Sequence, residues 1–283
     1  MSSQIKPETV MALRKRTGVG MSKCKEALIE AQGDMEEAIH ILRKQGMASA
    51  VKKSTRETNE GVIGIGENAQ AVYLIEVSAE TDFVLQNDRF KEFLSNICEE
   101  ALTSAPGSVE EFLEKPYSKQ QTLSIDKYRA ETVLALGENI QLKRMLDVKK
   151  GAELSVGVYS HMGGKIVSVV VLKGSNQHET LARDIAMHVA AEAPDYLRSE
   201  DVPKDVKAKE EEIARSQLGN KPAAILDKIV EGKLRAFYEQ NCLVAQKYIK
   251  DPAQTVASLI EQEGKKTGDD LQLVEFVRWQ IGG

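Results

Sequence analysis

Apolar side chains recur at three- and four-residue spacing through the first 46 positions, which predicts three short helices. The first runs from Pro7, whose missing N–H suits a helical first turn, to Arg16, with Val10, Leu13 and Met11 as its apolar stripe. Thr17-Gly18-Val19-Gly20 breaks it, with two glycines free to take positive φ. Ser22 is placed to cap a second helix that carries Cys24, Ala27, Leu28 and Ala31 on one face. Gly33 stops that helix, and Asp34 with Glu37 three residues later forms a capping box for the third. Ala38, Ile41 and Leu42 supply the buried face of the third helix and Gly46 ends it. Residues 47–60 then read as a helical extension fading into a polar linker.

Beyond residue 60 the period changes, and one pattern occurs twice. The first copy has strands at Val62–Ile65 and Ala71–Val77 around a turn at Glu67-Asn68-Ala69, then a helix from Asp88 to Leu102 closing at Ala105-Pro106. The second has strands at Leu154–Ser160 and Ile166–Leu172 around Met162-Gly163-Gly164, then a helix from Glu179 to Ala191 closing at Ala193-Pro194. Each copy ends in a further helix and a third strand: Asp126–Leu136 with Ile140–Asp147, and Thr255–Gln262 with Leu271–Trp279. The predicted class is α+β: a three-helix N-terminal module, then two repeated small antiparallel-sheet and helix subdomains.

The copies differ in two places. The first has a longer connection between second strand and helix, carrying Glu80-Thr81-Asp82-Phe83-Val84. The second has a charged insertion over 198–247, in which Pro203 starts a helix and Gly219-Asn220-Lys221-Pro222 turns the chain. Leu226, Val230, Leu234 and Phe237 follow a seam-like spacing on one arm, with Val202, Val206 and Ile213 on the other. That predicts an antiparallel helical hairpin of coiled-coil type. The expected divisions are 1–55 (module and linker), 56–151 (first core subdomain), 152–197 and 248–283 (second core subdomain) and 198–247 (hairpin).

Composition narrows the function. The 283 residues carry 38 Lys+Arg against 43 Asp+Glu, a formal charge of −5, with 42% apolar and 29% charged residues. This is an ordinary globular balance that argues against gripping nucleic acid through its phosphates. Residues 1–60 are mildly basic, 11 positive side chains against 8 negative. No apolar run reaches membrane-span length, and the first residues contain no apolar leader region, so the reading predicts an intracellular chain. Cys24, Cys98 and Cys242 are too far apart for a zinc site and odd in number for a disulfide framework.

The candidate chemistry is thin. Gly18-Val19-Gly20-Met21-Ser22-Lys23 lacks phosphate-loop spacing and follows a helix rather than a strand. Gly64-Ile65-Gly66-Glu67-Asn68-Ala69 mimics a dinucleotide fingerprint but opens no helix, and reads as a turn. None of the four histidines has metal-site spacing, and His188, on a mostly apolar helix, reads as a packed core residue. His161, at a hairpin tip, suits a contact surface. Phe83 stands out, since it lies in a polar connection that only one of the two copies has. Either it tucks under with Val84 as a minor core, or it protrudes as an aromatic anchor with Asp82 beside it.

Two stretches match a known family. Leu13-Arg14-Lys15-Arg16-Thr17-Gly18-Val19-Gly20-Met21-Ser22-Lys23-Cys24-Lys25-Glu26-Ala27-Leu28 and Glu76-Val77-Ser78-Ala79-Glu80-Thr81-Asp82-Phe83-Val84 resemble the two signatures of the translation elongation factor Ts (EF-Ts) family. Gly137-Glu138-Asn139-Ile140, Ile185-Ala186-Met187-His188-Val189-Ala190-Ala191 and Val230-Glu231-Gly232 resemble further landmarks in the same order. The resemblance implies a guanine-nucleotide exchange factor for EF-Tu, with no cofactor, metal or bond-making chemistry and no direct nucleic-acid or membrane partner, in a bacterial cytosol. It implies that Asp82-Phe83, flanked by Thr81 and Val84, wedges into the GTPase domain near its magnesium and phosphate site. It also implies a ubiquitin-associated-like N-terminal module docking through Arg14, Met21 and Lys25. His161 is the candidate contact on the second core subdomain, and Leu136 a further one on the first. The chain departs from the pattern at Ser22, where some members have a second methionine, and at Leu85, where a small residue is common. It also stops at Gly283 without the extra C-terminal helix of some relatives. The residues leave the oligomeric state open, a homodimer or a two-to-two complex with EF-Tu included. A non-catalytic ubiquitin-associated-type scaffold is the alternative function.

Overall fold

A computed structural model describes residues 5–216 and 223–282, with the side chains of 223–226 left aside. The chain divides into two compact units. The first comprises Met1–Lys149 with Ile281–Gly283, and the second Lys150–Gln280.

The first unit begins with α1 (Pro7–Thr17), α2 (Met21–Glu30) and α3 (Met35–Lys53). Val10, Leu13, Cys24, Ala27, Leu28, Ala38 and Leu42 form their shared core. Gly18, at φ +68°, ends α1 with its N–H on the Arg14 carbonyl, and Asp34 caps α3 by accepting from the Glu37 N–H at 2.8 Å. Four details of the sequence reading are corrected here. Met11 points into solvent, 63% exposed, because a helix cannot turn it onto the face shared by Val10 and Leu13. Gly20, at φ −58°, is an extended N-cap and not a left-handed residue. Ser22 does not cap α2; it lies inside the first turn, with its hydroxyl near Glu26.

The fourth correction concerns Gly46, which does not end α3. The helix continues to Lys53, and Gly46 lies against another backbone, where a Cβ would stand 3.2 Å from the Ala130 carbonyl oxygen. The second half of α3 therefore packs on the sheet core, Ala50 being buried in it beside half-buried Met47.

That core belongs to the antiparallel sheet β1 (Glu60–Glu67), β2 (Ala71–Ala79) and β5 (Ile140–Lys149), with β2 central. Tyr73, Ile75 and Val77 of β2 face the helices α5 (Asp88–Ser104) and α7 (Ile125–Leu136), meeting Phe90, Phe93, Ile97 and Val133. Between β2 and α5 lies a single turn, α4 (Asp82–Gln86). A short helix α6 (Val109–Glu114) and a hairpin β3 (Pro116–Tyr117) and β4 (Gln120–Ser124), absent from the sequence reading, fill the stretch between α5 and α7. Gly64 and Gly66 are strand residues of β1, not a turn. They let α5 approach, since a Cβ on either would stand 2.7 Å from Cys98 atoms.

The second unit repeats the plan. β6 (Leu154–His161), β7 (Ile166–Lys173) and β10 (Gln272–Gln280) form an antiparallel sheet with β7 central. It is packed by α8 (Glu179–Glu192) and α11 (Val256–Thr267), with a hairpin β8 (Lys247–Tyr248) and β9 (Asp251–Thr255) before α11. Both repeats end their first long helix identically: Ala105 and Ala193 take left-handed C-caps at φ +43° and +46°. The insertion consists of α9 (Lys204–Ser216) and α10 (Ala223–Asn241). Val202, Ala214 and Val230 are buried there, with Val206, Leu234 and Phe237 half-buried. Ile213 is 48% exposed and off the seam, because Ala214 takes the inward position two turns after Val206. The expected turn at 219–222 and the side chain of Leu226 lie outside the described residues.

Candidate functional site

The segment Thr81–Val84 is set by the way β2 ends. In the β2–β5 ladder Ala79 faces Ile140, and the same antiparallel register carried one and two residues further sets Glu80 against Asn139 and Thr81 against Glu138. Side chains replace the backbone ladder at those steps. The Asn139 N–H donates to Glu80 Oε1 at 2.6 Å, the Thr81 N–H donates to Glu138 Oε2 at 3.0 Å, and the Thr81 hydroxyl donates to Glu138 Oε1 at 2.7 Å. Asn139, fully buried, donates its side-chain N–H to the Arg56 carbonyl at 2.9 Å, and Arg56 closes the ring by an ion pair with Glu80 at 3.3 Å. Lys53 stands close by. Burial lowers its pKa, with Lys23 and Arg56 adding to the effect and Glu80 and Glu138 opposing it.

On this base α4 turns once. Val84 and Leu85 point into the core of the first unit, 8% and 9% exposed, while Phe83 on the opposite side is 83% exposed beside exposed Asp82. Of the two readings of Phe83, the structure separates its residues: Val84 tucks under and Phe83 protrudes. A lone exposed leucine or valine needs no explanation, but Phe83 is the most exposed large apolar side chain of the described residues and sits on a clamped turn. The second repeat has five residues between strand and helix where the first has eight, and leaves its sheet at Gly174, φ +119°, so no such turn is built.

The other expected contact residues fall in separate places. Met21 and Lys25 are one helical turn apart on the exposed side of α2, and Arg14 is exposed in the last turn of α1, close enough to Cys24 to act on its thiol. Leu136 is half-buried and packs on the first unit's core, one residue before the Gly137 cap. His161 is exposed at the end of β6 in the second unit, its ring stacked on Tyr159 at 6.1 Å. The next three residues, Met162, Gly163 and Gly164, all take positive φ, and this tight turn leaves Met162 70% exposed. Sequence reasoning passed over Arg56 and assigned no role to Glu80, Glu138 or Asn139. Their signal was present only as the register relation between two strands sixty residues apart.

The arrangement offers little to bond-making chemistry. Ser155, His178 and Asp269 lie together, but the Ser155 hydroxyl donates to the Ser175 carbonyl and accepts from the His178 backbone N–H, not from its ring. The His178 ring instead meets Asp269 at 2.7 Å. Burial pushes the Cys98 thiol up to about 12 and Cys242 to about 11, so neither is a ready nucleophile. His188 is fully buried, hydrogen-bonded to Gln246 at 2.9 Å and to the Ile249 N–H at 3.2 Å, as expected of a core histidine. Among the described residues no helix is long and apolar enough to cross a membrane.

Comparison with known proteins agrees with these landmarks. The family model described as elongation factor TS matches residues 80–283. The chain is 55% identical to elongation factor Ts of Protochlamydia amoebophila over 278 residues, covering 98% of this chain and 99% of that one. It is 44% identical to elongation factor Ts of Chlamydia felis and 41% identical to that of Chlamydia trachomatis serovar D, each over 280 residues and 99% of both chains. With its two signatures, its repeated sheets and matches running nearly end to end, the chain belongs to the elongation factor Ts family.

Proposed function

We infer that this chain is a guanine-nucleotide exchange factor for EF-Tu, and that it makes and breaks no bonds. It binds EF-Tu·GDP, promotes loss of GDP and Mg²⁺, and leaves when GTP rebinds. The observation that carries this reading, beyond family membership, is the exposed Phe83 on a turn whose base is fixed by side-chain hydrogen bonds. An anchor held in this way enters a partner without first losing conformational freedom.

Exchange is a difference of affinities. The factor accelerates release to the extent that it binds nucleotide-free EF-Tu more tightly than EF-Tu·GDP, and GDP weakens its binding by the same ratio. A 10⁴-fold ratio requires about 5.5 kcal/mol of differential affinity. Burying one phenylalanine supplies roughly 1.5–3 kcal/mol, so Phe83 acts with other contacts. Arg14, Met21 and Lys25 are assigned to one of them and His161 to another, with Asp82, Thr81 and Val84 joining Phe83 in the wedge and Leu136 a further, weaker contact.

The three N-terminal helices are read as a ubiquitin-associated-like module over 1–55, followed by a core subdomain over 56–151. The second core subdomain comprises 152–197 and 248–283, interrupted by a coiled-coil hairpin over 198–247. Release of a fluorescent GDP analogue from EF-Tu, with catalytic amounts of this chain and excess unlabelled GDP, tests the function. Turnover with accelerated release is the expected result. A stable complex without acceleration favours the scaffold instead.

A further inference from the structure

We propose that Glu138 is a positioning residue for exchange: it supplies, from a distant strand, the missing half of the wedge helix's N-terminal cap and thereby fixes where Phe83 points. The inference rests on the wedge reading above.

A five-residue helix has one turn and too few internal hydrogen bonds to hold itself. Natural helix starts solve this with a capping box, in which the third helical residue reaches back to the N-cap N–H. Here that third residue is Val84, which has no acceptor and is committed to the core. The N-cap, Thr81, likewise directs its hydroxyl away from the helix. Glu138 takes over the role: one carboxylate oxygen accepts the Thr81 N–H and the other the Thr81 hydroxyl. Two bonds to a planar acceptor fix both the position and the rotation of the residue that precedes the turn.

The rest of the ring makes Glu138 itself immobile. Gly137, at φ +84°, ends α7 directly before it, and Asn139 directly after it is fully buried and tied to Glu80 and Arg56. Val84 and Leu85 hold the inner side of α4 in the core, and Glu138 holds its entry. Phe83 is left with its direction determined and its ring free for a partner. The second repeat has carboxylates at the matching place, Asp269 and Asp270 after the Gly268 cap, but Asp269 meets the His178 ring, Gly174 stands where Glu80 does, and no turn like α4 is there to be capped.

The test uses the full chain and EF-Tu loaded with a fluorescent GDP analogue. Glu138→Ala is expected to lower the maximal rate of GDP release by about tenfold while shifting the half-saturating concentration by less than about twofold, since the other contact residues are untouched. Glu138→Gln, keeping one acceptor, recovers part of that loss. In a Phe83→Ala background Glu138→Ala adds less than about a twofold further loss, because a residue that acts only through Phe83 has nothing left to aim. Losses that multiply, or a wild-type rate for Glu138→Ala, overturn the proposal. Should Glu138→Ala fail to fold, Thr81→Val removes only the hydroxyl, and is expected to cost about threefold in rate, again non-additively with Phe83→Ala. A chain that never accelerates release, or a fully active Phe83→Ala, brings down the wedge reading itself. A defective Phe83→Ala beside a fully active Glu138→Ala and Thr81→Val brings down the clasp alone.

Discussion

Arg43 Nε lies 2.9 Å from Glu131 Oε1, joining α3 to α7, and both side chains are about two-thirds buried. Burial holds the Glu131 carboxyl above its ordinary value of 4.5, with Arg43 the main opposing charge and Arg89 a smaller one. A carboxyl raised in the folded state contributes stability below pH 4.5 and loses it as pH rises through the folded value. Arg43→Ala removes the main opposing charge and leaves the smaller Arg89 contribution, so its cost, about 1–2 kcal/mol, is expected to be larger at pH 7.5 than at pH 4.5. Glu131→Gln cannot titrate and should flatten the difference. Thermal unfolding followed by helical circular dichroism at the two pH values checks both; a pH-independent cost for Arg43→Ala contradicts the linkage.

Phe83 and Val84 are neighbours with opposite fates, and substitution should separate them. Phe83→Ala removes an 83% exposed ring and leaves stability within about 0.5 kcal/mol, while reducing exchange by at least about tenfold. Val84→Ala opens space beneath α4 and costs about 1–3 kcal/mol of stability, with exchange falling less. Urea unfolding beside GDP-release rates distinguishes the two. Equal activity of Phe83→Ala and wild type would sink the wedge assignment.

The long helices were legible because each buries one face, and the central strands β2 and β7 because they are buried on both faces and read as continuous apolar runs. Gly46 misled for a physical reason: glycine punctuates helices, but here its missing Cβ lets α3 touch the Ala130 backbone, a tertiary fact. The Gly64 and Gly66 pair misled in the same way. Two-residue strands such as Pro116–Tyr117 and Lys247–Tyr248 are too short to carry a period. Phe83 was legible as an oddity between matching copies, yet only the structure told its exposure from Val84's burial. The Thr81–Glu138 clasp was out of reach, since pairing register is set by sheet geometry rather than by either segment alone.

The second unit should lose stability in mild acid through His188. Its ring accepts the Ile249 N–H at Nδ1, which places the proton on Nε2 toward Gln246. Burial lowers its pKa below 6.5, against the raising effect of Gln246 and Glu192. A base depressed in the folded state gives stability that is present above pH 6.5 and is lost as pH falls through the folded value. Asp269 does not confuse the window, because its hydrogen bond with His178 holds it below its ordinary 3.8. His188→Leu leaves Gln246 Oε1 and the Ile249 N–H unpaired, costing about 2–4 kcal/mol at pH 7.5, and should flatten the slope between pH 7.5 and 5.5. Trp279, the chain's one tryptophan, lies in β10 and reports on this unit by fluorescence. An unchanged slope in the variant would place the acid sensitivity elsewhere.

Two glycines of the second unit make opposite predictions under the same substitution. Gly157, in β6, lies beneath α8, and a Cβ there would land on the Ala182 carbonyl carbon and the Arg183 nitrogen. Those are helix backbone atoms, which cannot rotate aside as a side chain would. Gly157→Ala must therefore lift α8 from the sheet and loosen Ala182, Ile185, Ala186 and Val189 from their core, at a cost of more than about 3 kcal/mol. Gly232, within α10, has nothing within 4 Å of its would-be Cβ and an ordinary helical φ. Gly232→Ala restricts the unfolded chain without strain and should stabilise α10 by about 0.5–1 kcal/mol. Urea unfolding read by Trp279 fluorescence is the measurement for the first, and hydrogen exchange of the α10 amides for the second. A well-folded, fully stable Gly157→Ala would mean that α8 does not approach β6 as closely as this backbone requires.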